Sequence, residues 1–298
     1  MNLIEKLNRL QRGSSLGRKE DLSKPQNHVI SGFAQRDEAS SLDALAVVRA
    51  SQQKDPRRLV LDAKHLQKGG LVVPDGGRTR TGEEFRVIKR AILDKSFENG
   101  SVRDHKNVVM ITSARPGEGK TFIALNLSIS IAFERDIRVL LVDADLANPS
   151  VMKVLGHGAQ RGLSDLLNDS NLEASDVIRQ TSMPNLSLLP AGAPHLMSSE
   201  LLSSRRMIAI VEEISQRYGD RVIIFDAPPL LATSEPVMLA RHAGQIILIV
   251  EVDQTSRASL RAALEMLGSQ QNVSLILNKR RATPGFDEFG TYYGKYHK

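Results

Sequence analysis

Eight consecutive residues, Ala114-Arg115-Pro116-Gly117-Glu118-Gly119-Lys120-Thr121, have the types and spacing that hold a phosphate. Gly117 and Gly119 let the backbone fold round an anion with its N–H groups turned inward, because residues without a Cβ reach the required dihedrals at little steric cost. Lys120 is spaced to reach terminal phosphates, and the Thr121 hydroxyl to ligate Mg²⁺. Phe122 completes the candidate nucleotide-binding stretch. Downstream, Val142-Asp143-Ala144-Asp145 places two carboxylates on one side of a strand end, since strand side chains alternate with period 2. Such a pair can hold Mg²⁺, directly or through water, and accept a proton from an attacking hydroxyl. An Asp at a strand end also serves as a plain helix cap, and that alternative stands at this level. Phe225-Asp226-Ala227-Pro228-Pro229 has the form of a Walker B element, with Asp226 at the metal. Asn278 closes the last apolar run, as a candidate adenine contact or an ordinary turn residue.

The elements that must position these side chains follow from periodicity. Val108 to Ser113 is an unbroken strand-like run, and Ile123, Leu125, Leu127 and Ile131 continue as a helix beyond the glycines, giving strand, phosphate loop and helix. Arg138–Asp145, Leu186–Leu189, Arg221–Asp226, Gln245–Val250 and Val273–Asn278 read as further strands, several of them apolar throughout as in a parallel sheet covered on both faces. Helices are expected over Thr81–Phe97, Ser199–Tyr218 and Arg257–Leu267. The alternation predicts a doubly wound, mostly parallel α/β sheet with right-handed crossovers. Ligands of such sheets sit at the carboxyl ends of the strands, where all these carboxylates fall. Within Thr81–Phe97, Glu83, Arg86 and Arg90 share a charged face, read as solvated or as paired within the helix or across subunits.

Upstream, Arg57–Asp62 suggests a short strand and Ala63–Lys68 a helical turn, followed by a Gly/Pro-rich linker. Leu3, Ile4, Leu7 and Leu10 have helical spacing, read either as a docking helix on a flexible tether or as a frayed amphipathic terminus. No apolar run approaches the ~20 residues of a membrane span, and the start lacks a secretory signal, so a cytoplasmic protein is expected. The chain has no cysteine, which excludes thiol catalysis, and its few scattered histidines suggest no transition-metal site. A formal charge of +6 leaves the partner open, while the absence of Trp removes stacking platforms and argues against nucleic acid. Three of the four tyrosines, Tyr292, Tyr293 and Tyr296, crowd the last seven residues, where packing explains them poorly; they read either as a sticky, unmodified tail or, with a nucleotide site in the same chain, as phosphoryl acceptors. Asn278 to Tyr292 is about 14 steps of ~3.4 Å, a reach of roughly 48 Å that allows attack on the chain's own site or a neighbour's.

These motifs, with Ser-Glu-Leu-Leu at 199–202 and the Tyr-rich end, resemble the bacterial tyrosine kinases (BY-kinases) of capsule and exopolysaccharide synthesis. More narrowly, the chain resembles the exosortase-associated tyrosine autokinases. The resemblance implies a P-loop NTPase fold of the Min/Par-like type with three parts: a partly disordered docking region at 1–80, a kinase domain at 81–283 and a flexible tail at 284–298. It implies ATP and Mg²⁺ as cofactors, with catalysis by Lys120, Asp143 and Asp145, metal binding by Thr121, Asp143, Asp145 and Asp226, and phosphorylation of the tail tyrosines. The family's oligomer motif ExxRxxR matches Glu83 and Arg86 but ends in Lys89, which keeps the charge and loses the two-pronged guanidinium. The implied assembly is a homo-oligomer, recruited to the inner face of the membrane by a separate chain-length-determining polysaccharide co-polymerase. The first three motifs also fit a Min/Par partition ATPase without kinase activity, or an inactive nucleotide-binding regulator.

Overall fold

The computed structural model describes residues 58–73, 79–97, 105–195, 197–216, 220–268 and 272–280. The apolar repeat at Leu3–Leu10, the linker glycines 76 and 77, and the three tail tyrosines lie outside the described residues. In chain order the elements are β1 (Arg58–Leu59), α1 (Ala63–Lys68), α2 (Arg80–Ser96), β2 (Val108–Ser113), α3 (Lys120–Ala132), β3 (Arg138–Asp143), α4 (Val151–Val154), α5 (Leu163–Asn168) and α6 (Ala174–Val177). They continue as β4 (Arg179–Thr181), β5 (Leu186–Leu189), α7 (Ser198–Leu202), α8 (Arg205–Gln216), β6 (Arg221–Asp226), α9 (Glu235–Ala240), β7 (Gln245–Glu251), α10 (Arg257–Leu267) and β8 (Val273–Asn278).

The strands form one sheet in the order β1-β4-β5-β3-β6-β2-β7-β8. Every pairing is parallel except β4 with β5. Period-2 alternation divides each central strand between two cores. Val108 and Met110 of β2, Leu140 and Val142 of β3, and Ile223 and Phe225 of β6 join one core with α5, α8 and α10. Val109 and Ile111 of β2, Val139 and Leu141 of β3, and Val222 and Ile224 of β6 join the other, under α1, α2 and α3. Both faces are therefore covered, which is why these strands carry no polar alternation. The expected doubly wound, mostly parallel sheet is the observed one.

α3 is the central helix of its layer: every residue from Ile123 to Ala132 is buried. Its first turn is braced from outside by the tilted ring pair Phe85–Phe122, with centroids 6.3 Å apart. Its second turn is tied to the segment after α1, where the Val72 N–H donates to Asn126 Oδ1 at 2.7 Å.

One expectation fails in detail. The helix predicted over Ser199–Tyr218 is two helices, α7 and α8, joined at Ser203 and Ser204, and residues 217–219 lie outside the described set. The Ser204 hydroxyl donates to the Leu201 carbonyl and accepts the Met207 N–H, so it ends one helix and caps the next.

Candidate active site

The phosphate loop leaves β2 and re-enters regular structure at α3. Its two glycines hold φ values of +86° and +96°, the left-handed region that side-chain-bearing residues rarely adopt. Gly119 caps α3, so the first amides of this 13-residue helix open toward the loop with the positive end of its dipole. Arg115, Pro116 and Gly117 are exposed, whereas the Glu118 side chain turns inward and is buried. The Arg115 N–H donates to Glu118 Oε2 at 2.8 Å, the Ser113 hydroxyl donates to the Arg115 carbonyl at 2.8 Å, and the Thr255 hydroxyl donates to Glu118 Oε1. The loop is thus shaped by its own side chains.

The strand order brings three carboxylates beside it. β6 lies between β2 and β3, and Asp143 pairs in register with Asp226. Lys120 Nζ is 3.0 Å from Asp145 Oδ2, and Asp145 Oδ1 accepts the Asn148 N–H at 3.0 Å. The Thr121 hydroxyl donates to Asp226 Oδ2 at 2.6 Å and lies 2.8 Å from Ser150 Oγ. With Thr121's one proton directed at Asp226 Oδ2, the Ser150 hydroxyl donates to Thr121. Asp143 Oδ2 accepts the N–H groups of Ser150 and Val151, at 3.1 and 3.0 Å.

The other oxygens of two of these groups, Asp143 Oδ1 and Asp226 Oδ1, are buried without a hydrogen-bond partner. Burial pushes the Asp143 carboxyl up to about 6, against the opposing pull of the Val151 and Ser150 amides. Burial, followed by repulsion from Asp143, pushes Asp226 up to about 7, with the Thr121 hydroxyl working the other way. A cation placed between these two groups would stabilise the charged form of both.

Among the described residues no three His, Cys, Asp or Glu side chains converge into a cage for a metal. Mg²⁺ does not require one, because it uses one or two carboxylates and completes its octahedron with phosphate oxygens and water. The orphan oxygens of Asp143 and of its in-register neighbour Asp226, whose other oxygen accepts the Thr121 hydroxyl, fit that demand. Asp145 is instead committed to Lys120.

Other expected site residues are placed as follows. Asn278 Nδ2 donates to the Glu118 carbonyl at 2.9 Å, so its amide faces the phosphate loop. Arg86 is bonded to Glu83 at 2.6 Å within α2. Lys89 is buried, paired with Glu134 at 2.6 Å and directed at the Ser130 carbonyl near the end of α3. Ser150, Thr255 and Lys279 are parts of the site that sequence reasoning missed. Each is an ordinary polar residue far along the chain from the loop it touches, and no local pattern marks it.

A family model described as an AAA domain matches residues 106–280, more than half of the chain. The tyrosine-protein kinase YwqD of Bacillus subtilis is 32% identical over 220 residues, which cover 73% of this chain and 88% of YwqD. This chain belongs to the bacterial tyrosine-kinase family. The tyrosine-protein kinase ptk of Acinetobacter johnsonii is 33% identical over 208 residues, covering 68% of this chain but 27% of ptk. The chain therefore spans about a quarter of the length of that larger relative. Among solved structures, the VpsO kinase domain aligns over 68% of this chain and 100% of its own, with a TM-score of 0.55 and 30% identity. Among the described residues no helix is long and apolar enough to cross a membrane.

Proposed function

We propose that this bacterial tyrosine-kinase homologue transfers phosphoryl groups from ATP to its own C-terminal tyrosines, Tyr292, Tyr293 and Tyr296. The observation that carries the reading is the buried pair Asp143 and Asp226. Each keeps one unpartnered oxygen, with Asp226 bonded to Thr121 of the phosphate loop and Asp143 in register beside it, in a chain whose relatives are named tyrosine-protein kinases.

The loop amides and Lys120 bind the phosphates, with Lys120 exchanging its contact with Asp145 for a phosphate oxygen. Thr121 and Asp226 are the residues that would hold Mg²⁺ directly, with Asp143 reaching it through water, and the ion's charge would offset that of the phosphates. A phenol with pKa near 10 keeps its proton at neutral pH, so transfer needs a positioned base. Asp143 suits the task by position: its Oδ2 is pinned by two amides, while its Oδ1 has no hydrogen-bond partner and is open to accept a proton. The tyrosine oxygen bonds to the γ-phosphorus, the bond from that phosphorus to the ADP oxygen breaks, and the phenolic proton passes to Asp143.

By resemblance to the family, the tail phosphorylation controls exopolysaccharide polymerisation and export. The narrower likeness to exosortase-associated autokinases belongs to the same proposal. So do a homo-oligomer involving Glu83 and Arg86, with the buried Lys89 no longer part of that surface, and a cytoplasmic location at the membrane through a separate polysaccharide co-polymerase. Each phosphotyrosine adds about −1.5 to −2 charge, which opposes the local excess of Lys279, Arg280, Arg281, Lys295 and Lys298.

Incubation with γ-labelled ATP and Mg²⁺, followed by mass spectrometry of the C-terminal peptide, tests the proposal. Label is expected on the tail tyrosines, reduced at least ~100-fold in Lys120→Met, where the phosphate charge loses its main side-chain partner. Sustained hydrolysis with an unmodified C-terminal peptide would replace the kinase by a partition-type ATPase.

A further inference from the structure

The outer wall of the phosphate loop is held by the end of the last strand. Asn278 Nδ2 donates to the Glu118 carbonyl at 2.9 Å, and the next residue, Lys279, donates from Nζ to the Gly117 carbonyl at 2.7 Å. Lys279 is anchored in turn by Glu251 Oε2 at 3.0 Å. Its backbone has φ +58°, a left-handed conformation that a lysine adopts only against a steric cost. Asn278 is packed so closely on the loop that a Cβ at position 119 would come within 2.2 Å of its Nδ2.

Consecutive carbonyls bonded on one side have a definite consequence. In a trans peptide the C=O of one residue and the N–H of the next point in opposite directions. Drawing the Gly117 and Glu118 carbonyls outward therefore turns the Glu118 and Gly119 N–H groups the other way, into the concavity where a phosphate is bound. Successive inward amides are what make such a loop an anion nest.

We infer that Lys279, assisted by Asn278, is a positioning residue for the phosphate loop: it touches no phosphate and acts by fixing the orientation of the peptides that do. The inference rests on the nucleotide-binding reading of this loop and goes beyond it by assigning a role to a residue 162 positions away in the chain. Glu118 adds a third tether to the same wall, through Thr255 on the approach to α10. Lys279 differs from it in lying at the root of the C-terminal segment that carries the tyrosines.

The test uses the full chain and two readouts, MgADP affinity and amide hydrogen exchange of the peptide spanning 114–122, in Lys279→Met and Lys279→Arg. A charge-assisted bond, discounted for the partial exposure of Lys279, predicts that the methionine variant binds MgADP about 3- to 10-fold more weakly. The loop amides should exchange faster by a similar factor in the nucleotide-free protein, and the arginine variant should recover most of both. Unchanged affinity in Lys279→Met overturns the inference, whether or not exchange changes, as does weakened affinity with unchanged loop exchange. If the unsubstituted chain fails to bind MgADP, the nucleotide reading itself falls. Loop exchange then still shows whether Lys279 orders these peptides.

Discussion

On the phosphate-loop side of the site, hydrogen bonds are made before any ligand arrives: the Arg115 amide and carbonyl, the Glu118 side chain, and the Gly117 and Glu118 carbonyls are all engaged. On the carboxylate side, at the ends of β3 and β6, two buried acids each keep an oxygen with nothing to accept from, and both are pushed toward neutrality by burial. The loop is preorganised, whereas the acids are held in an unfavourable state that a cation relieves. The difference teaches that shape and charge are handled separately here. A backbone cradle must have its geometry in advance, because flexible peptides would lose entropy on binding. A metal site gains by being poorly satisfied without its metal, since binding then relieves an existing penalty.

The contrast breaks most visibly at Asp226. Asp226→Asn is expected to lower tail phosphorylation at least ~100-fold, through loss of the proposed Mg²⁺ ligand, yet to make the cation-free protein more stable at pH 8. The direction follows from linkage: Asp143 and Asp226 hold protons in the folded state up to about pH 6 and 7, whereas the same groups in the unfolded chain lose them near 4. The folded state therefore binds more protons across that window, and stability falls as pH rises through it before levelling off above about 7. Thermal unfolding in EDTA at pH 5 and pH 8 checks this. The unsubstituted protein should lose stability between the two, and Asp226→Asn should lose less.

The loop side is expected to respond in the opposite sense, with substitution costing both stability and binding. Gly119→Ala imposes a Cβ at φ +96° and drives it into Asn278, for a cost of about 1–3 kcal/mol in stability, with weaker MgADP binding. Denaturant unfolding and calorimetric titration would measure the two. Thr255→Val is the mildest change. It removes the donor to buried Glu118 and leaves the Glu251 N–H without its 2.9 Å acceptor, for about 1–2 kcal/mol at neutral pH. If Thr255→Val were neutral in stability and in MgADP affinity, the loop would not be preorganised from that side.

Much of this was legible in the chain itself. Unbroken apolar runs at β2, β3 and β6 are the mark of strands buried on both faces, and each ended in the polar residue that the site uses. The short elements were not legible. α4, α6 and β4 have three or four residues each, too few for a period to show. The split between α7 and α8 escaped because Ser204 caps through its side chain within an otherwise continuous apolar repeat. Lys89 stood as the last position of an oligomer motif, whereas the structure commits it to Glu134 and the end of α3.

The phosphate loop, the identity of its glycines, the carboxylates at the strand ends and a sheet covered on both faces could be read from the amino-acid sequence alone, because each depends on local dihedral preference or on a repeat within one element. Only the tertiary structure decided which side chains meet at that loop. Ser150 reaches Thr121 across 29 positions, Thr255 reaches Glu118 across 137, and Lys279 reaches Gly117 across 162. Those meetings follow from the order in which parallel strands pack, with β6 between β2 and β3 and β7 and β8 on the other flank. Strand order minimises the free energy of the whole sheet and its two cores, so no short stretch of residues carries it.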